Sequence, residues 1–318
     1  MKIEEYFMLK KDLKGFRDFS KYEQTYPRGT LFGILLQKRI DNVKRRYGDY
    51  TSRLPELASY WEKNREIPGW LRLPPIMRIK LLMKALGMSK KEILKQFSNP
   101  ENSEFEDLVW SAIYKDFIYS PIAVRNQFAR GRVGELIIRD YLESQGIEFK
   151  DEKQLRPAKK TPDFYIEDRL EIDGRVIKWI ESKALFGDYR THKLYSKKQY
   201  TPYLEMYGDG VVIYWLGKLD NLESHAMLKD YSFIQSKSKF FLLDMKVFLA
   251  SKNEEEHAEA LDASVYQWEV EEDVKTKAFL DETLKLFDSI EKNIIVTGWN
   301  RSLRTILRNM GLIPVVLK

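Results

Sequence analysis

Cysteine is absent from the 318 residues. That excludes disulfides, thiolate zinc sites and cysteine nucleophiles. Histidine occurs only as His192, His225 and His257, which argues against a histidine-rich metal centre. No apolar run reaches the roughly 18 residues of a membrane span. The opening stretch, MKIEEYFMLKKDLKGF, carries acids and no apolar segment, so no secretory signal is expected. Internal repeats and low-complexity tracts are missing as well. The expected compartment is cytoplasmic, with no membrane partner. What the chain does have is 43% hydrophobic and 32% charged residues, enough to bury a core under a charged surface.

The net charge of +6 is unevenly spread. Residues 1–130 hold 25 Lys and Arg against 16 Asp and Glu, a balance of +9. Residues 131–222 hold 16 of each, and residues 223–318 hold 13 against 16. A basic excess confined to one end points to a polyanion partner there, with a plain solvated basic face as the alternative.

Residues 1–120 read as helices. GTLFGILLQKRIDNVKRRYG (29–48) has helical apolar spacing and ends in Lys44, Arg45 and Arg46. LPPIMRIKLLMKALGMSKKEILKQF (73–97) reads as two helices. Pro75 opens the first, Gly87 stops it, and Ser89 with Glu92 forms a capping box for the second. A helix, a short glycine turn and a second basic helix make the helix-turn-helix pattern, although any αα-hairpin looks the same. Lys90, Lys91 and Lys95 would then sit on the recognition helix.

A different grammar begins near residue 121. Val133, Leu136, Ile137 and Tyr141 form a helical stripe closed by Gly146. TPDFYIE and RLEIDGRVIKWIESKA read as strands, with Asp173-Gly174 as a hairpin turn. A helical stretch (192–208) precedes VVIYWL (211–216), a fully apolar strand. The expected fold class is α+β and multidomain. It comprises an N-terminal helical, helix-turn-helix-containing DNA-binding region (1–120), a central α/β domain with a mixed sheet (121–222), and a C-terminal accessory α/β segment (223–318). In that last segment FFLLDMKVFLA (240–250) reads as a strand and 274–292 as a helix. A further strand–helix–strand run follows over 294–317.

Within the central domain, charges interrupt the strand pattern. Residues two apart on a strand share a face, so Glu181 and Lys183 project together with the Ser182 carbonyl between them. Asp163 meets Glu181 if the two strands are neighbours. Two close carboxylates repel, and a divalent cation relieves the repulsion. Oxygen-only ligation fits Mg²⁺ or Mn²⁺. A nearby ammonium would stabilise charge building on a phosphate. The plain alternative is a surface salt bridge on an exposed strand.

Pro162-Asp163 followed by Glu181-x-Lys183 resembles the active-site motif of the PD-(D/E)xK nuclease superfamily. More narrowly, TPDFYIE, IDGRVIKWIESKALFGD, THKLYSKKQY and GDGVVIYWLG resemble the TPD-motif family, that of the codanin-interacting nuclease and its archaeal relatives. The resemblance covers roughly residues 125–220. It implies a restriction-endonuclease-like fold for 121–222, with Asp163, Glu181 and the Ser182 carbonyl as metal ligands and Lys183 as the catalytic lysine. Glu135 on the preceding helix resembles the glutamate that completes the metal site. Gln199 and Tyr203 resemble a Q-x-x-x-Y support motif, although Pro202 between them limits that helix to starting nearby.

The expected activity is a Mg²⁺- or Mn²⁺-dependent DNA endonuclease, with branched or structured DNA as a candidate substrate. The alternatives are a catalytically weak DNA-binding scaffold that recruits a protein partner, and an RNA-processing nuclease with the same centre. Junction resolution would need a homodimer. Arg125, Arg130 and Arg132 before Glu135, and His192, Lys193, Lys197 and Lys198 after the active strand, are candidate backbone-phosphate contacts.

Overall fold

Helices lead the chain, as the apolar spacing predicts. In the computed structural model, which describes residues 1–98, 103–155 and 160–235, they are α1 (Ile3–Asp12), α2 (Arg28–Thr51), α3 (Leu54–Asn64), α4 (Pro75–Ala85), α5 (Lys90–Ser98), α6 (Glu106–Lys115) and α7 (Pro121–Ser144). The α/β part follows with β1 (Phe149–Asp151), α8 (Glu152–Leu155), β2 (Phe164–Ile172) and β3 (Arg175–Lys183). Next come α9 (Tyr189–Tyr195), a π turn (Ser196–Tyr200), α10 (Thr201–Tyr207), β4 (Gly210–Tyr214), β5 (Met227–Asp230) and α11 (Ser232–Gln235). The expected elements at 240–250, 274–292 and 294–317, and thus most of the accessory segment, lie outside the described residues.

The five strands form one sheet in the order β1-β2-β3-β4-β5. The first two pairings are antiparallel and the last two parallel, so the sheet is mixed, as expected for an α+β chain. Asp173 and Gly174 turn β2 into β3 with φ of 49° and 76°. A two-residue I′ hairpin needs positive φ at both positions, and Asp-Gly tolerates it.

Each face of the sheet is buried by a different helix. Ile137, Ile138, Tyr141 and Leu142 of α7 pack on Phe164, Ile166, Ile177, Ile180, Val211 and Ile213. On the other face Tyr200 and Tyr203 pack on Trp179, Val212 and Tyr214. Strand β4 is buried along its whole length, which is why it reads as an unbroken apolar run.

The α4–α5 pair forms as its caps predict. Pro75 is the first residue of α4, and Gly87 has φ of 84° after it. Ser89 N–H donates to Glu92 at 2.7 Å, and Glu92 N–H donates back to Ser89 Oγ at 3.3 Å. Helices α3, α4 and α6 share a core of their own around Leu57, Trp61, Ile79, Leu82 and Val109.

The first two helices pack elsewhere. Leu9, Leu31, Phe32 and Leu35 share a core with Phe186, Leu216 and Leu219, which follow β3 and β4. Tyr6 stacks on Phe186 with centroids 5.5 Å apart. The Tyr6 hydroxyl donates to Asp188 at 2.9 Å. Residues 1–35 therefore complete the α/β part, although composition groups them with the helices that follow.

Candidate active site

Alternation along β3 decides what each of its last residues meets. Trp179 and Glu181 face the aromatic layer under α10, and Lys183 lies on the same side. Ser182 points to the α7 face, where its Oγ accepts from Trp215 Nε1 at 2.8 Å. The Ser182 hydroxyl is thus engaged on the side of the sheet away from Glu181. Asp163 stands one residue before β2, and the pairing of Phe164 with Ile180 brings it beside Glu181.

The two acids are cross-linked through the backbone. Asp163 N–H donates to Glu181 Oε2 at 3.3 Å, and Ser182 N–H donates to Asp163 Oδ2 at 2.7 Å. Lys183 Nζ donates to Glu181 Oε1 and lies 4.9 Å over the Tyr195 ring. This is not a surface salt bridge, because Glu181 is 1% exposed. The side chain of Lys183 is 12% exposed.

Burial governs the protonation of all three groups. It raises the Asp163 carboxyl well above the ordinary range, with Glu181 and Glu135 adding repulsion. It also raises Glu181, against the opposing pull of Lys183. For Lys183 burial favours the neutral amine, but Glu181 and Asp163 outweigh it and hold its pKa above the ordinary value. Its acidic neighbours therefore favour the charged ammonium form of the lysine.

The charge balance fits a hard divalent cation. Two buried acids, with Glu135 in electrostatic range, face one lysine, and their raised pKa values reflect how poorly burial and mutual repulsion tolerate their negative charge without a further cation. The donors are all oxygen, which suits Mg²⁺ or Mn²⁺. Among the described residues no three carboxylate or imidazole side chains close around a single point as they stand.

Gly134 is what lets α7 pack closely against Trp215 and Ser182. A Cβ there would lie 2.2 Å from Trp215 Nε1 and 2.8 Å from Ser182 Oγ. The sequence did carry the signal, since a glycine inside a 24-residue helix costs about 1 kcal/mol and asks for a reason.

The stretch after β3 departs from a simple helix. Pro202 is the second residue of α10, and the π turn ahead of it lets the helical path continue from Tyr189 to Tyr207. Helix α10 therefore starts beside Pro202, as expected, while the π turn joins it to α9. Pro202 has no N–H for the Lys198 carbonyl four residues back, and that carbonyl accepts from Lys160 Nζ at 3.2 Å instead. Gln199 lies in the π turn with Oε1 buried and unpartnered among the described residues. Tyr203 donates to Thr161 O at 2.7 Å and thereby clamps the segment that carries Asp163.

Two expected phosphate contacts are placed in the interior. His192 is 4% exposed, with Nδ1 2.9 Å from Tyr214 Oη and Nε2 3.1 Å from Glu223 O. Burial lowers its pKa and favours the neutral ring. Arg130 is 6% exposed and lies 4.9 Å over Phe32, with burial pulling its pKa down to about 10. Neither side chain can reach a phosphate outside the fold, because packing has taken each one inward. Lys44, Arg45, Arg46, Lys90, Lys91, Lys95, Lys193, Lys197 and Lys198 are all exposed. The side chains of Arg125 and Arg132 lie outside the described residues. Asp188, a loop acid, caps α9 by accepting from Thr191 N–H at 2.7 Å.

Fold and site together define an α+β protein whose mixed sheet holds a buried acidic pair beside a lysine. The family described as "Protein of unknown function TPD sequence-motif" matches residues 101–237. CDAN1-interacting nuclease 1 of Homo sapiens is 30% identical over 231 residues, which cover 64% of this chain and 82% of that protein. The Mus musculus protein of the same name is 31% identical over 232 residues, with the same two shares. The Danio rerio protein is 29% identical over 253 residues, 69% of this chain and 83% of that protein. The chain belongs to the TPD-motif family. No solved structure matches it.

Proposed function

We propose that the chain is a Mg²⁺- or Mn²⁺-dependent DNA endonuclease of the PD-(D/E)xK type. The observation that carries this reading is the buried cluster of Asp163, Glu181 and Lys183, held by reciprocal backbone hydrogen bonds. The name shared by the relatives supports the nuclease class. They are also named for interacting with CDAN1, and on that ground we propose a protein partner.

Asp163, Glu181, the Ser182 carbonyl and Glu135 would hold the cation. When bound, it would polarise the scissile phosphate and lower the pKa of a water. Lys183, kept charged by its neighbours, faces the negative charge that builds on the non-bridging oxygens as water attacks phosphorus and the P–O bond breaks. Tyr203 and the Trp215–Ser182 bond keep the acidic strand ends in place from opposite faces of the sheet. The exposed lysines and arginines of 1–120 would supply non-specific affinity, with α5 as the recognition helix.

The test is a cleavage panel of linear duplex, single-stranded and branched DNA in Mg²⁺, Mn²⁺ and EDTA, with RNA as competitor. Cleavage of DNA that needs Mg²⁺ or Mn²⁺ and stops in EDTA is expected. Cleavage that persists in EDTA, or cleavage of RNA alone, would overturn the reading.

A further inference from the structure

A cavity of about 460 Å³ opens between α1, α2 and α9. Its walls carry Lys10, Lys11, Lys38, Arg45 and Arg190 against a single acid, Asp41. That acid is already engaged, since it accepts from Lys10 at 3.1 Å and from Arg190 at 3.0 Å. Lys38 donates to the carbonyls of Lys11 and Leu13 at the C-terminus of α1, at 2.9 and 2.8 Å. Burial, with a smaller contribution from the neighbouring Arg39 and Lys14, pushes the Lys38 pKa down. Five cations and one acid leave the cavity at +4.

The walls are fixed relative to one another. The Tyr6–Asp188 bond ties α1 to the start of α9, and Asp41 on α2 bridges Lys10 on α1 to Arg190 on α9. The cavity is thereby built onto the helix that follows the active strand. Phe7 lines the same opening and is 58% exposed. One exposed phenylalanine on a surface is ordinary. Lining a strongly cationic cavity, it offers a π-face beside lysine and arginine side chains, the combination that holds single-stranded nucleic acid.

We infer that this cavity binds an unpaired segment of a nucleic-acid strand, with backbone phosphates against Lys11 and Arg45 and a base stacked on Phe7. The inference rests on the nuclease reading and narrows it, because the substrate then carries a single-stranded stretch.

The experiment uses the full chain in EDTA, with fluorescence anisotropy on a labelled oligothymidine of about 15 nucleotides, matched to the span of such sites. A blunt duplex of the same length is the comparison. Phe7→Ala should weaken oligothymidine binding by about tenfold and spare the duplex, whereas Phe7→Trp should keep the affinity. Lys11→Glu with Arg45→Glu should weaken binding and flatten the log–log salt slope by roughly 0.7 for each phosphate that is no longer neutralised. All three side chains are at the surface, and melting curves will show that the variants fold. Unchanged oligothymidine binding in both variants would overturn the inference, as would an equal loss on duplex in Phe7→Ala. If wild type cleaves DNA while these variants bind as wild type does, only the cavity assignment fails. If wild type neither binds nor cleaves any nucleic acid, the nuclease reading itself fails.

Discussion

Gly134→Ala should separate stability from chemistry. The added Cβ would lie 2.2 Å from Trp215 Nε1, 2.6 Å from its Cδ1 and 2.8 Å from Ser182 Oγ. Comfortable carbon contacts are about 3.5–4.0 Å, so a gap of about 1 Å must open. Either α7 backs away from β3, or Trp215 turns and gives up its bond to Ser182. Overpacking of this kind costs about 1–3 kcal/mol. Alanine offsets about 1 kcal/mol of that through its helix propensity. The melting temperature should therefore fall only slightly, by about 2–4 °C for each net kcal/mol in a chain this large. Glu135 is the next residue, and where α7 backs away it is carried with the helix relative to Asp163 and Glu181. A 1 Å misplacement at a reacting centre costs on the order of 10² in rate. Single-turnover cleavage in saturating Mg²⁺, measured beside a thermal melt, is the assay. A rate within about threefold of wild type in a folded variant would refute the claim that this glycine positions Glu135.

Asp163→Asn and Glu181→Gln should each stop turnover while nucleic-acid binding holds or tightens, because repulsion of phosphate falls. Both acids have raised folded pKa values from burial and close charge. Their stabilising contribution is thus complete below the unfolded pKa and is lost as pH rises through the folded one. The metal-free wild type should lose melting temperature over that window, and each variant should show a smaller loss, as scanning fluorimetry across pH will reveal. Lys183→Ala should lower the single-turnover rate by on the order of 10² with little change in affinity, the signature of an interaction made only in the transition state. It also leaves Glu181 buried without its cation, so its melting temperature should fall as well; an equal loss in binding with an unchanged rate would make Lys183 a phosphate-binding group only. Neutralising Lys44, Arg45 and Arg46 together should flatten the salt slope on duplex DNA by roughly 0.9 for each phosphate these side chains had neutralised. An unaltered slope would mean that this cluster is only solvated surface. Charge neutralisation is the sounder perturbation here, because deleting the N-terminal region would strip Phe186, Leu216 and Leu219 of the helices that cover them.

Features that depend on local chemistry were legible in the sequence. Asp173-Gly174 had to turn, because only such residues accept positive φ at both positions. Ser89 and Glu92 had to cap α5, since the box closes within three residues. Glu181 and Lys183 had to share a face, because a strand repeats every two residues. Tertiary structure alone decided the rest. It set Asp163 beside Glu181 through the β2–β3 register, a choice fixed by which face of each strand is buried. It folded α1 and α2 onto the segments that follow β3 and β4, away from the helices with which charge and composition group them, because Phe186, Leu216 and Leu219 needed an apolar cover from outside their own segment. It drew His192 and Arg130 inward, where the polar groups of Tyr214 and Glu223 and the ring of Phe32 receive them. Local sequence sets what a residue is able to do, whereas its neighbours across hundreds of positions set the dielectric and the partners that determine its charge and reach.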